Sequence, residues 1–252
     1  MAEHPPDRMR IDRLLVERGF FESRAKAQDA IAAGHVSADG RTVAKPSEEV
    51  RFNAEITAAP AHPWVSRGAL KLVAALDHFA IDPAGRICLD IGASTGGFTE
   101  VLLARGAARV HAVDVGRDQL HASLRSRPEV IAMEATDIRH LAPGDFAAPP
   151  SLVVIDVSFI PLRLVLPAAR RLAAAEADLV ALIKPQFEAG SRHLKKGIVR
   201  DPAVHSAVCA EVSARAAEAG WLPSGIIPSP IAGGDGNREF LLAARAMPAA
   251  TS

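Results

Sequence analysis

Apolar positions along the chain follow two kinds of pattern, and the change from one to the other comes near residue 60. In the first part, Ile11, Leu14 and Leu15, followed by Arg18-Gly19, have the spacing of a short amphipathic helix closed by glycine. Ser23 then caps a second helix carrying Ala27, Ala30 and Ile31, which ends at Gly34. Val36, the turn Asp39-Gly40, Val43, Val50, Phe52 and Ile56 alternate as short strands around tight turns. The expected product is a small α+β unit of two helices and a hairpin.

In the second part, apolar strand-like runs alternate with helical ones: Ile87 to Ile91, Phe98 to Leu103, Val110 to Val113, Gln119 to Leu124, Val130 to Met133 and Leu152 to Ile155. Leu162 to Leu172, Leu179 to Ile183 and Ala203 to Ala219 follow. This alternation predicts a Rossmann-like α/β fold, a mostly parallel sheet with helices on both faces. The last two runs, Gly225 to Pro230 and Glu239 to Ala244, are joined by Gly233-Gly234-Asp235-Gly236-Asn237 without a helix, so they pair as antiparallel neighbours. An antiparallel final strand distinguishes methyltransferase-type sheets from dehydrogenase-type ones. The two prolines of Ala59-Pro60-Ala61-His62-Pro63 break both helix and central strand. The expected organisation is a flexible N-terminus (1–8), a first domain (9–58), a linker (59–63), a second domain (64–247) and a tail (248–252).

Composition narrows the class. Of the 252 residues, 49% are hydrophobic and 23% charged, enough to bury a core and solvate a surface. The two cysteines, Cys88 in a strand run and Cys209 in a helix run, suit neither a disulfide nor a metal cluster. His35, His62, His193 and His205 lack ligand spacing, so no metal is expected. The polar, proline-bearing start and the absence of an 18-residue apolar run predict a cytoplasmic protein with no membrane span. Lys plus Arg equals Asp plus Glu at 29 each, so an RNA partner must rest on local patches. One such patch holds Lys184, Arg192, Lys195, Lys196 and Arg200 against a single acid, Glu188. Trp64 and Trp221 can stack on bases, but packing is the commoner role for a tryptophan beside a linker or opening a strand.

Candidate chemistry begins at Asp90-Ile91-Gly92-Ala93-Ser94-Thr95-Gly96-Gly97-Phe98-Thr99, between the first strand and the first helix of the second domain. Glycines there let backbone N–H groups approach a ligand at the carboxyl ends of the strands. Their positions, 92, 96 and 97, depart from the G-x-G-x-x-G of dinucleotide binders. Asp114 ends the second strand, where a carboxylate accepts both ribose hydroxyls of an adenosine, with Val115 beside it. Asp137 follows the third strand at the adenine position, and Asp90 can face the cationic methionine end of S-adenosylmethionine.

Four further residues can converge beside that crevice. Asp156 closes the fourth strand, Lys184 closes the fifth, Glu239 starts the last, and Lys71 lies on a helix preceding the first. A ribose 2′-hydroxyl is a poor nucleophile until a base removes its proton, and a desolvated lysine near another cation can serve. Lys184 is the candidate base and Lys71 the neighbouring cation, with Asp156 and Glu239 orienting lysine and sugar. Attack by a base amino group usually uses an Asp/Asn-Pro-Pro-Tyr/Phe element, whereas this chain has Asp156-Val157-Ser158-Phe159 and no tyrosine. Methylation at a pyrimidine carbon needs a cysteine, and both cysteines lie away from the crevice.

The whole chain resembles the haemolysin A (TlyA) family, an S4-type RNA-binding domain joined to an FtsJ-like ribosomal RNA 2′-O-methyltransferase. The S4 resemblance is carried by Arg10-Ile11-Asp12-Arg13-Leu14-Leu15, Ser23-Arg24, Ala27, Ile31, Gly34-His35-Val36 and Asp39-Gly40. The FtsJ-like resemblance is carried by Trp64-Val65-Ser66-Arg67-Gly68-Ala69-Leu70-Lys71-Leu72, the glycine loop, Ala112-Val113-Asp114-Val115-Gly116, Lys184-Pro185-Gln186-Phe187-Glu188 and Gly236-Asn237-Arg238-Glu239-Phe240. It implies a class I methyltransferase sheet and a Lys-Asp-Lys-Glu tetrad at 71, 156, 184 and 239. It also implies S-adenosylmethionine as cofactor and a ribose in ribosomal RNA, of a cytidine, as target. Arg10, Arg13, Arg24, Lys26, Arg41, Lys45, Arg67, Arg192, Lys195 and Lys196 are the expected RNA contacts. The end of the chain soon after Ala244 leans towards a single large-subunit target. Val157, Ser158, Phe159 and the loop 188–197 are expected to border the nucleotide. The rivals are a non-catalytic RNA or ribosome-binding module, which binds RNA but no cofactor, and a membrane-active haemolysin, for which no apolar span or strongly amphipathic interfacial helix is present.

Overall fold

The computed structural model describes residues 7–233 and 236–247. The chain divides between Pro63 and Trp64 into two compact units. Residues 1–6, the tail 248–252 and positions 234–235 of the expected turn lie outside the described residues.

In the first unit, β1 (Arg8–Arg10) leads into α1 (Ile11–Glu17), which buries Ile11, Leu14 and Leu15. Gly19, at φ +74°, turns the chain out of it. The Ser23 hydroxyl accepts from Lys26 N at 3.4 Å to open α2 (Arg24–Ala32). The strands β2 (Val36–Ala38), β3 (Arg41–Thr42), β4 (Glu49–Arg51) and β5 (Ile56–Ala58) follow. Only β2 and β3 form the expected hairpin; β5 pairs on the other edge of β2, and β4 pairs with β1. Arg8 falls in the stretch expected to be flexible, but its pairing with Arg51 ties it into that ladder.

The second unit contains α3 (Ala69–Phe79), β6 (Ile87–Ile91), α4 (Gly97–Ala104), β7 (Arg109–Val113), α5 (Ala122–Arg125), β8 (Val130–Met133), β9 (Leu152–Ile155), α6 (Leu166–Leu172), β10 (Asp178–Ile183), α7 (Pro185–Glu188), α8 (Pro202–Glu218), β11 (Trp221–Pro228) and β12 (Phe240–Ala246). The seven strands run β11-β12-β10-β9-β6-β7-β8, with β12 antiparallel to both neighbours and the other pairs parallel. Three elements differ from their sequence expectation for local reasons. Glu134 Oε1 takes the N–H groups of Gln119 and Leu120, so α5 starts later, at Ala122. Pro167 lies in the first turn of α6 and splits the 162–172 run into a 3₁₀ turn and a helix. β11 starts at Trp221 because an edge strand tolerates Pro223, with a bulge between Pro223 and Gly225.

Both faces of the sheet are buried, as a sheet sandwiched between helices requires. Cys88, Leu152, Val154, Val180, Leu182 and Leu241 pack with α3 and α4. Leu89, Val153, Ile155, Leu179, Ala181 and Leu242 pack with α6 and α8. Alternation then carries positions 90, 156, 184 and 239 to the α3–α4 face. Trp221 is fully buried and donates from Nε1 to Leu166 O at 3.2 Å, a core role.

Candidate active site

The chain reverses direction across the sheet between β6 and β9, the place where open α/β sheets form a crevice beyond their strand ends. The glycine loop lies there. Gly92 and Ala93 donate to Val113 O at 2.9 and 3.2 Å. Gly92 sits at φ +85°, and a Cβ on it would stand 2.4 Å from Asp156 O, so loop and β9 end meet only through glycine. Gly96 has φ +97°, and a Cβ on it would strike Leu120 and Leu124, so glycine is required there for packing as well. A cleft of about 180 Å³ opens beside the loop, lined among others by Ser66, Gly92, Ser94, Asp156, Ser158 and Lys184. Ala93, Thr95, Gly97 and Phe98 line it as well, whereas Asp90, Asp114, Val115 and Asp137 do not. A larger groove, about 630 Å³, lies at Arg163, Pro167 and Arg215, but Arg215 is spent on Glu218 and Glu211; chemistry rather than volume selects the cleft.

Three acids, one within β6 and two beyond β7 and β8, lie in different settings. Asp90 is fully buried behind the loop; its Oδ2 accepts from Thr99 Oγ1 at 2.7 Å, and its Oδ1 has no hydrogen-bond partner among the described residues. Burial pushes its carboxyl up to about 7, against the hydrogen bond from Thr99. Asp114 is held by Ser94 N at 2.8 Å and Gly116 N at 2.7 Å, which fix its plane while leaving lone pairs for a ligand. Asp137 caps a 3₁₀ turn and is gripped by the Arg139 side chain, whose hydrogen bonds hold it down to about 2. Val115 stands exposed beside Asp114.

The four residues at 71, 156, 184 and 239 form two ion pairs. Lys71 Nζ meets Glu239 Oε2 at 2.5 Å, with side-chain exposures of 9% and 3%. Lys184 Nζ meets Asp156 Oδ1 at 2.6 Å, with exposures of 11% and 21%, and also donates to Ser158 Oγ at 2.8 Å. The last rung of β10 and β12 pairs Ile183 with Phe240, so Lys184 and Glu239 face each other one step beyond it. Asp156 follows the rung pairing Ala181 with Ile155. Lys71, expected as the cation beside Lys184, has its charge matched by Glu239, one of the two carboxylates expected to orient the set.

The basic segment after α7 is anchored from below. Lys195 and Ile198 bridge around Lys196-Gly197, both at positive φ. Asn237, buried, donates to Gly197 O and accepts from Val199 N, each at 3.1 Å, while His205 Nε2 meets Val199 O at 3.0 Å. Arg192, Lys195, Lys196 and Arg200 are exposed. Glu188 turns inward to accept from Leu162 N at 2.8 Å, leaving the segment more basic than its composition. Phe159, almost fully exposed at φ +65°, lies 5.0 Å from the Phe187 ring. Arg67 is exposed. In the first unit, Lys26 pairs with Glu22, Arg41 with Glu48, and Arg13 lies 3.9 Å from Glu17. Arg10 and Arg24 both bind Asp12, and Lys45 is exposed.

Sequence reasoning missed Ser66, Asn237, the contact of Ser158 with Lys184 and the buried role of Asp12. Nothing local marks which polar residue of a loop, Ser158 or Asn237 among them, turns inward. Among the described residues, no group of three or more His, Cys, Asp or Glu is arranged to hold a metal, and no helix is long and apolar enough to cross a membrane.

Residues 64–246 match the FtsJ-like methyltransferase family and residues 9–56 the S4 domain. The 16S/23S rRNA (cytidine-2′-O)-methyltransferase TlyA of Mycobacterium tuberculosis is 48% identical over 93% of this chain and 89% of its own. The 23S rRNA (cytidine-2′-O)-methyltransferase TlyA of Campylobacter jejuni is 38% identical over 70% of this chain and 69% of its own. A solved structure from Streptococcus thermophilus, described as a hemolysin, aligns with a TM-score of 0.77 at 42% identity, covering 96% of this chain and 89% of that one.

Proposed function

The chain belongs to the FtsJ-like methyltransferase family and carries an S4 domain, and from that premise we propose that it transfers a methyl group from S-adenosylmethionine to the 2′-hydroxyl of a cytidine in ribosomal RNA, in the cytoplasm. The observation that carries this reading is the Lys184–Asp156 pair on the wall of the cleft beside the glycine loop. The donor set fits the cofactor. No lysine or arginine occurs in the loop 92–98 to meet a phosphate, whereas Asp90 within β6 and Asp114 and Asp137 after β7 and β8 supply three carboxylates, Asp90 with a buried oxygen unpartnered among the described residues. In this reading Gly92, Ala93, Ser94, Thr95, Gly97 and Phe98 cradle the cofactor. Asp114 takes the ribose hydroxyls, Val115 and Asp137 border the adenine, and Asp90 lies behind the methionine end. When bound, the cofactor supplies an electrophilic methyl group on a sulfonium.

The remaining work falls to this chain's own residues. Lys184 Nζ would take the 2′-hydroxyl proton as the O–C bond to the methyl group forms and the S–C bond of the sulfonium breaks. Asp156 and Ser158 hold Nζ in place, because a base contributes only within hydrogen-bond reach of the proton. Lys71 and Glu239 form the buried backing of the site. Val157, Ser158 and Phe159 border the nucleotide, and Arg67, Arg192, Lys195 and Lys196 meet the backbone.

The test offers small and large ribosomal subunits, naked and assembled, with labelled cofactor, and maps the product by mass spectrometry. Both subunits are needed because the two relatives carry different subunit designations. A 2′-O-methylcytidine that disappears in Lys184→Ala supports the reading. RNA binding with no cofactor binding would replace it with a non-catalytic role.

A further inference from the structure

The first unit contains a one-sided ionic cluster that the site above does not use. Asp12, in the first turn of α1, is completely buried, yet its carboxylate receives four side-chain hydrogen bonds. Arg10 donates from Nε to Oδ1 at 3.1 Å and from Nη2 to Oδ2 at 3.0 Å; Arg24 Nη2 and Gln28 Nε2 reach the same Oδ2 at 2.7 and 2.9 Å. Burial pushes the Asp12 carboxyl up, but the hydrogen bonds from Arg10, Arg24 and Gln28 outweigh it and hold it well below the usual carboxylate range. The cluster therefore stays charged at neutral pH.

The asymmetry is informative. The anion is sealed, while the two cations keep 47% and 54% of their side chains in solvent. A guanidinium has five N–H donors; Arg10 spends two on Asp12 and Arg24 one. Two arginines share one acid, so a net positive charge remains, whereas Lys26–Glu22 and Arg41–Glu48 cancel one for one. A balanced composition thus hides a local cation whose outward donors are already oriented. Two guanidinium forks converging on one carboxylate oxygen match the paired oxygens of a phosphodiester better than flexible ammonium groups do.

We propose that Asp12 is a positioning residue that holds Arg10 and Arg24 side by side as a receptor for one backbone phosphate of RNA, an inference that rests on the RNA-directed reading above. Asp12 does not touch the ligand; it fixes the direction of the groups that do.

The test measures binding of the full chain to a labelled ribosomal RNA fragment across a salt series, with thermal unfolding and cofactor affinity alongside. Asp12→Asn adds one unit of positive charge, so a surface acting through net charge alone binds RNA more tightly. Positioning predicts the opposite sign: about tenfold weaker binding, as for loss of one well-oriented charged contact, and a salt slope lower by about one. Arg10→Lys and Arg24→Lys keep charge and Asp12 intact, so they decide the matter even if Asp12→Asn unfolds. Each weakens binding several-fold with the salt slope and cofactor affinity unchanged. Tighter binding by folded Asp12→Asn, or lysine variants that bind like the parent, overturns the proposal while leaving the RNA reading standing. A parent chain that binds no ribosomal RNA at low salt overturns both.

Discussion

Lys71 and Lys184 each meet a carboxylate, at 2.5 and 2.6 Å, on the same face of the same sheet, yet their surroundings separate them. The Lys71–Glu239 pair is enclosed between α3 and the entry to β12. The Lys184–Asp156 pair lies on the cleft wall, and Lys184 donates its hydrogen bond to the Ser158 hydroxyl while standing beside the carboxylate as an ion pair. An enclosed pair has lost its water on both sides, so its attraction repays desolvation and little else. A pair at the cleft keeps a route to substrate, and each of its bonds can be exchanged for one to an incoming hydroxyl. The same two residue types thus form a sealed pair in one place and a pair open to the cleft in the other.

The widest separation between the pairs comes from removing the lysine at the cleft. Lys184→Ala should lower single-turnover methyl transfer by about 10²–10⁴-fold, the usual worth of a positioned base, with cofactor affinity by calorimetry unchanged. Equal transfer by parent and variant would end the distinction.

The enclosed pair should answer in stability. Glu239→Leu leaves Lys71 buried without its partner and should cost about 3–5 kcal/mol in urea unfolding, most of it recovered in the Lys71→Met, Glu239→Leu double variant. Asp156→Asn, beside the cleft, should cost less than half as much.

Asp90 extends the comparison to a carboxylate on this face with no cation. Burial raises it to about 7, so between about pH 4 and 7 the folded chain holds a proton that the unfolded chain has released. Its contribution to stability is complete below about pH 4 and falls as pH rises to 7, by up to about 4 kcal/mol. Asp90→Asn should flatten that part of the stability–pH curve and make the protein more stable than the parent at pH 8.

The smallest effect belongs to Ser158→Ala, which removes one of the two groups holding Lys184. Transfer should fall by tenfold or less, about 1 kcal/mol, with no change in unfolding midpoint. A larger fall would mean that the hydroxyl touches the substrate.

Most of the strand order's ingredients were legible because local rules carry them: alternating strand and helix runs, glycines at 19 and 34 closing helices, Ser23 as a cap, and a last pair of strands with no helix between. The misses were non-local. Glu134, far from the start of α5, delays that helix by taking the N–H groups of Gln119 and Leu120. Glu188 was counted as the acid facing a basic loop, but it satisfies Leu162 N instead. Lys71 and Glu239 are expected to converge, but which of the two lysines takes which of the two carboxylates is not written in a linear chain, and the structure pairs Lys71 with Glu239, 168 residues away.

From its residues alone this chain determined that a small helical unit with short strands precedes a parallel sheet, and that acids and lysines follow the strand ends. Tertiary structure decided which face those groups take and which partner each one meets. The physical reason lies in the central strands: Leu152 to Ile155 and Leu179 to Ile183 are apolar on both sides, so their pattern carries no record of which face is which. Only packing of α3 and α4 against one side brings Lys71 to Glu239 and leaves Lys184 open to the cleft.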